Sequence, residues 1–241
     1  MPATTWTPTA LASEAGPWQG SGWRAVEAQH QVASMRLVGG NLADQALLES
    51  ILDEAKPPVP DELAGLHWLL STPFRYRPLA TGSRFRRPED PGVFYGAEDR
   101  QTACAEAGYW RLRFWTDSAG LTDRPASLEL TLFEFHGASP RALDLTRPPL
   151  AVDRLLWTDR NDYRATQELA VQARAAAIGL LRYQSARYPA GFCLAVLTPA
   201  VLRNHPEPYR YQQQTWHLWL TPPHDVVWQR HLDRESFSFH F

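Results

Sequence analysis

The sequence predicts an α+β fold with a mainly antiparallel sheet, on two observations. Helical and strand patterns are interspersed without the strict alternation that builds parallel βαβ units. The strands are short β-branched and aromatic runs joined by hairpin-length links.

Taken in order, residues Met1 to about Ser21 are rich in Pro, Thr, Ser and Gly and read as a loose arm whose tryptophans dock on the body. From Trp23 to Val38, Val26, Val32, Met35 and Leu37 fall at near-helical spacing and predict a first helix. A second is predicted over Leu42–Glu54, with Leu47, Leu48, Ile51 and Leu52 as its apolar stripe and Pro57 and Pro58 as its stop. Asp61–Leu70 reads as a third, short helix. These elements suggest an N-terminal arm and helical extension over 1–70, ahead of a main domain over 71–241.

The main domain opens on Phe74–Trp115, around which the rest is organised. Arg75, Arg77, Arg84, Arg86 and Arg87 are interleaved with aromatics and broken by Gly82, Pro88, Pro91 and Gly92, so the segment is a loop rather than a helix. A short strand at Val93–Tyr95 follows, then a helix from Asp99 to about Arg111. Ser127–His136 alternates as a strand should, and a second short strand is expected at Ala142–Leu145 before Pro148 and Pro149 break the chain. Val152–Tyr163 reads as a mixed loop. Arg164–Gly179 is the strongest helix pattern, capped by Asn161 or Asp162 and ended by Gly179 in the left-handed position. Strands are then expected at Leu180–Tyr183, Phe192–Leu197, Thr215–Leu220 and Val226–His231, with a polar turn at Gln184–Arg187.

Composition excludes several classes of function. Lys+Arg 24 against Asp+Glu 26 leaves a formal net charge of -2, so no global basic field points to nucleic acid, and a basic site must be local. Cys104 and Cys193 lie far apart with no CxxC and no neighbouring His pair, and read as small buried hydrophobes in a reducing compartment. No charged, apolar leader and no apolar run of about 18 residues is present, which suggests a cytoplasmic protein with no membrane contact. Neither GxGxxG nor GxxxxGK[ST] occurs, nor HExxH, GxSxG or a zinc-like Cys/His spacing, so no metal is expected.

The chemistry-bearing residues lie in the central stretch. Arg84 carries a planar fork of donors suited to phosphate, Tyr95 a flat ring with a polar tip, and Glu106 a carboxylate on an alanine-rich helical turn. Together they suit a phosphorylated, base-bearing ligand.

The series Gly82-Ser83-Arg84-Phe85, Gly92-Val93-Phe94-Tyr95-Gly96-Ala97, Thr102 to Glu106, Tyr163 through Thr166-Gln167-Glu168-Leu169-Ala170 to Arg174, and Tyr183-Gln184-Ser185-Ala186-Arg187 resembles the RES-domain family. The family is named for an Arg, a Glu and a Ser, matched here by Arg84, Glu106 and Ser185. The resemblance spans roughly Ser71 to Leu220. It implies an ADP-ribosyltransferase-like fold and a toxin of a bacterial toxin–antitoxin pair that cleaves the nicotinamide–ribose bond of NAD+, with an Xre-type DNA-binding antitoxin as partner. NAD+ is then the substrate, with no metal and no direct nucleic-acid contact, and a homo-oligomer is compatible with it. The implied roles are diphosphate binding by Arg84, stacking on nicotinamide by Tyr95, stabilisation of an oxocarbenium-like ribose by Glu106, and a hydrogen bond from Ser185 to nicotinamide or ribose. Arg75 and Arg187 are further candidates for phosphate contacts. Some relatives carry a histidine one helical turn after the glutamate, where this chain has Trp110. Two alternatives stay open: a mono-ADP-ribosyltransferase acting on a protein, and a catalytically silent binding module whose Trp-rich surface serves assembly.

Overall fold

A computed structural model describes residues 6–27, 41–54, 57–76, 80–121, 124–205 and 213–241. The helical elements are α1 (Pro8–Glu14), α2 (Leu42–Glu54), α3 (Trp68–Arg75), α4 (Arg100–Asp117), α5 (Arg154–Trp157) and α6 (Arg164–Ala175). The strands are β1 (Gly16–Glu27), β2 (Phe94–Ala97), β3 (Ala126–Asp144), β4 (Leu180–Gln184), β5 (Phe192–Val196), β6 (Leu202–Arg203), β7 (Gln213–Thr221), β8 (Asp225–Arg230) and β9 (Ser236–His240).

All the strands join one mixed sheet, in the order β1-β2-β5-β4-β3-β7-β8-β9, with β6 also on β3. Every pairing is antiparallel except β3 with β4. That exception follows from the connection: the chain leaves β3, runs through α5 and α6, and returns in the same direction, as a parallel neighbour requires. Because β1 also pairs along β3, from Gly16↔Ala142 to Glu27↔Leu130, the strands β1-β2-β5-β4-β3 close a ring. β7, β8 and β9 extend from the other half of β3 as a meander. The expected α+β, mainly antiparallel class is what the chain adopts.

The main departure is at the N-terminus. The helix expected over Trp23–Val38 is not formed where the chain is described: Trp23–Glu27 are strand, and 28–38 lie outside the described residues. The reason is tertiary. Gly22 and Gly96 leave room for the Phe135 ring, and a Cβ on either would meet that ring within 2.6 Å. The spacing of Val26 alone has no such information. The expected loose arm likewise forms α1, capped by Thr7 Oγ1 accepting from the Ala10 amide, and Leu11 is fully buried in the core. A boundary at residue 70 therefore divides a single sheet. α2 matches its expected span, and the third helix expected over Asp61–Leu70 is split: a 3-10 turn at Asp61–Leu63, then α3 from Trp68. The strands expected at Ser127–His136 and Ala142–Leu145 are one long strand, and β6 and β9 were not expected.

α4 is capped by Asp99, whose carboxylate accepts from both the Thr102 amide and the Thr102 hydroxyl at 2.7 Å. It buries Ala103, Cys104, Ala105, Gly108 and Leu112. α6 is capped differently from expectation: Tyr163 is the cap residue and makes no side-chain cap bond, while Asp162 accepts from the Arg164 amide at 3.0 Å. The helix also ends early. Ala177, at φ 53, takes the left-handed position, with Ile178 N donating to Ala173 O and Ala177 N to Arg174 O, the two bonds of a Schellman ending. Gly179 is a glycine for another reason: a Cβ there would lie 2.7 Å from Ser139 Oγ and 2.8 Å from Val201 Cγ2.

Candidate active site

A cleft of about 1140 Å³ opens where β1, β2 and α4 face the arginine loop and the segment leading into α6. Arg84, Tyr95 and Glu106, separated in sequence, all line it.

The arginine loop is a tight turn, with reciprocal backbone bonds between Ser83 and Arg86 at 2.7 and 3.2 Å. Three side chains hold it. The Tyr95 hydroxyl accepts from the Phe85 amide at 2.9 Å and bonds Ser83 Oγ at 2.8 Å. Gln167 on α6 donates to the carbonyls of Ser83 and Arg86. Arg174, two turns further along the same face of α6, donates to the Phe85 and Pro91 carbonyls and lies 3.8 Å from Asp90. Burial pushes the Tyr95 phenol above its ordinary value, so it stays protonated and able to donate.

Arg84 is 8% exposed. One guanidinium N–H donates to the Trp157 carbonyl at 2.8 Å, and the group lies 4.7 Å over the Tyr163 ring. Among the described residues no carboxylate pairs with it. A pairing with Glu89 or Asp90 at the surface is not what the chain forms: Asp90 faces Arg174 and the Arg87 amide. A buried arginine with a single carbonyl partner keeps most of its donors for a ligand.

Glu106 has no cation partner among the described residues either. Its Oε1 accepts from the Ser185 hydroxyl at 2.5 Å, the length of a charge-assisted O–H···O⁻ bond. Ser185 is itself fixed, because its Oγ accepts from the amides of Arg187 at 3.1 Å and Tyr188 at 2.9 Å. With one donor and two acceptors in use, the hydroxyl holds the carboxylate and has no capacity left for a ligand. Cys193 Sγ lies 3.8 Å from the same oxygen, and burial with that carboxylate beside it raises the thiol well above its ordinary value, so the sulfur is no nucleophile.

The two remaining candidates are placed differently. Arg187 is 5% exposed and packs its guanidinium 3.5 Å from the Tyr109 ring centroid, donating to the Arg160 carbonyl at 2.7 Å. It stands behind the wall and braces the 159–163 loop. Arg75 ends α3 outside the cleft lining, where its Nε donates to the Pro57 carbonyl.

Sequence reasoning missed the contribution of β1. Trp23, Arg24 and Ala25 line the cleft, and Arg24 donates to the Tyr95 carbonyl while its guanidinium lies 4.8 Å over Phe94. Burial lowers the Arg24 pKa to about 10. Assigning this stretch to a helix concealed it. Asp159 and Tyr163 were also missed as a unit. Asp159 accepts from the amides of Asn161 and Asp162 at 2.8 Å, which lowers its pKa and shapes the loop that carries Tyr163 to Arg84. Only the Tyr163 in the family-like motif hinted at it.

The model of the RES domain matches residues 59–221, more than half of the chain. The chain belongs to the RES domain family. The matched span starts before the expected boundary at 71 and leaves β1 outside it, although β1 supplies part of this RES domain's cleft. No curated protein matches the sequence. Among solved structures, a chain in the crystal structure of the M. tuberculosis MbcT–MbcA toxin–antitoxin complex is similar at 14% identity and a TM-score of 0.46, covering 88% of this chain and 92% of that one. No helix among the described residues is long and apolar enough to cross a membrane.

Proposed function

We propose that this RES domain protein is the toxin of a toxin–antitoxin pair and consumes NAD+, breaking the bond between nicotinamide N1 and ribose C1′. The observation that carries this reading is the presence, in one cleft, of a guanidinium and a carboxylate that form no ion pair among the described residues, with Asp159 near enough to feel the charge of Arg84 but not bonded to it. A dinucleotide supplies both complements, an anionic diphosphate and a ribose that turns cationic as the bond breaks.

Nicotinamide leaves as a neutral molecule with the bonding electron pair, so no strong general acid is required. The site must instead orient the substrate and stabilise positive charge at C1′. Arg84 binds the diphosphate through its free donors. Glu106, held by Ser185, faces the ribose and stabilises the developing cation, then takes the proton from a water that adds at C1′; phosphate adding there as its anion needs no such step. Tyr95 offers the ring for nicotinamide while its hydroxyl keeps Arg84 in place. Ser185 acts through Glu106. Arg187 acts through the cleft wall, and Arg75 has no part in this reading. An Xre-type antitoxin is the proposed partner, since an unrestrained NAD+-consuming enzyme harms its host.

The test is NAD+ concentration against time in phosphate buffer, for wild type and Glu106→Gln, with products resolved by mass. The amide oxygen still accepts from Ser185, so the fold is kept and only the charge is lost. The expected result is turnover in wild type and a loss of about 10²-fold or more in the variant. Equal turnover in both overturns the mechanism. Transfer of ADP-ribose to protein without free product replaces hydrolysis or phosphorolysis by mono-ADP-ribosylation.

A further inference from the structure

The cleft does not end at Glu106. One helical turn on, Trp110 lines both the main cleft and a neighbouring groove of about 190 Å³ that shares Ala25 and Ala107 with it. Trp110 therefore stands on the border of two adjoining spaces.

Its surroundings are those of a stacking platform rather than of a core residue. The residue is 49% exposed, although tryptophan is among the costliest side chains to leave in water. It is braced on the protein side by Tyr109, edge to face at 5.3 Å, and by the Arg187 guanidinium at 5.7 Å. The residues next to it in the groove, Ala25 and Ala107, are small, which leaves room for a flat partner. Arg111, also lining the groove, is joined through one nitrogen to Glu27 at 2.8 Å, and its remaining guanidinium donors are at hand for the edge of a base. The second base of a dinucleotide has these needs: a π-face to stack on and polar edge contacts.

We infer that Trp110 forms the subsite for the purine end of the dinucleotide, with Ala25 and Ala107 as its floor. This rests on the proposed function for its substrate, and it makes β1, outside the matched family span, part of substrate recognition. Glu106 and Trp110, one turn apart on α4, then engage the two ends of one molecule.

The test compares NAD+ with nicotinamide mononucleotide, which has the same scissile bond and no purine. Base stacking of ordinary strength predicts that Trp110→Ala lowers kcat/KM for NAD+ between about five- and hundredfold, mainly through KM. Turnover of the mononucleotide should be unchanged, and Trp110→Phe should restore most of the loss. Equal losses on both substrates, or none on NAD+, overturn the subsite. Calorimetric titration of AMP into Glu106→Gln, with and without Trp110→Ala, decides the matter without turnover. AMP affinity that falls by a like factor supports the subsite even if neither substrate is cleaved and the NAD+ reading fails. AMP that binds equally to both proteins, or to neither, overturns it.

Discussion

Ser185→Ala tests whether the serine of the site is a positioning group. The substitution removes one charge-assisted hydrogen bond to Glu106, and leaves the Arg187 and Tyr188 amides without their acceptor. A hydrogen bond to a charged group contributes about 1.5–3 kcal/mol, and an unsatisfied buried donor costs about 1–3 kcal/mol. These effects share one oxygen and do not add fully, so the expected destabilisation is about 2–4 kcal/mol. For a chain of this length that lowers the melting temperature by about 4–16 °C. Activity should fall through kcat with little change in KM, because the freed carboxylate no longer faces the ribose while Arg84 still binds the diphosphate. Calorimetric or fluorescence melting beside NAD+ turnover measures both. A melting temperature within about 1 °C of wild type, or a change confined to KM, refutes the assignment and returns Ser185 to a direct ligand contact.

Arg84→Lys keeps the charge but loses the planar fork and its contact with Tyr163; kcat/KM for NAD+ should drop at least about tenfold, and an unchanged value shows that a point charge suffices. Gly191→Ala places a Cβ 1.9 Å from Thr102 Oγ1, which is fixed by Asp99, so urea unfolding should reveal a loss of about 1–3 kcal/mol or more. Ala177→Gly relieves a left-handed alanine and should raise stability by about 0.5–1 kcal/mol in the same assay, whereas a decrease contradicts the Schellman ending of α6. Asp159 is held below its ordinary range by two backbone amides, and Asp162 is lowered to about 2 by Arg164. Groups with a depressed folded pKa contribute stability that is present above the unfolded value, about 3.9, and lost as pH falls through the folded one. The amide signals of Asn161 and Asp162 should therefore change below about pH 4, and titration at the ordinary aspartate value shows that the loop bonds do not persist.

The cleft became legible through a few polar residues and the order of short motifs. Arg84, Tyr95 and Glu106 were singled out by their chemistry, and the structure places all three along one space. Strong local signals also carried over: the span of α2, the alternation of β3 and the run of good helix formers in α6 all reappear near their expected positions. The failures share a cause. Gly179 was assigned to a helix ending that Ala177 makes, because a glycine looks the same in sequence whether it serves a positive φ or a close approach to Ser139. Arg187 was assigned to phosphate, because an arginine's type does not tell whether its guanidinium faces a ligand or the ring of Tyr109.

By itself, then, the sequence determined the fold class, the family, and which functional groups are available, since these depend on residue type and local periodicity. The tertiary structure alone decided that the N-terminal segment is a strand inside the sheet rather than a helix beside it, because Gly22 and Gly96 matter only once Phe135 lies between them. It alone decided that Ser185 serves Glu106 and that β1 walls the cleft. Both are contacts between residues far apart in the chain, and no local pattern encodes which distant partner a side chain will meet.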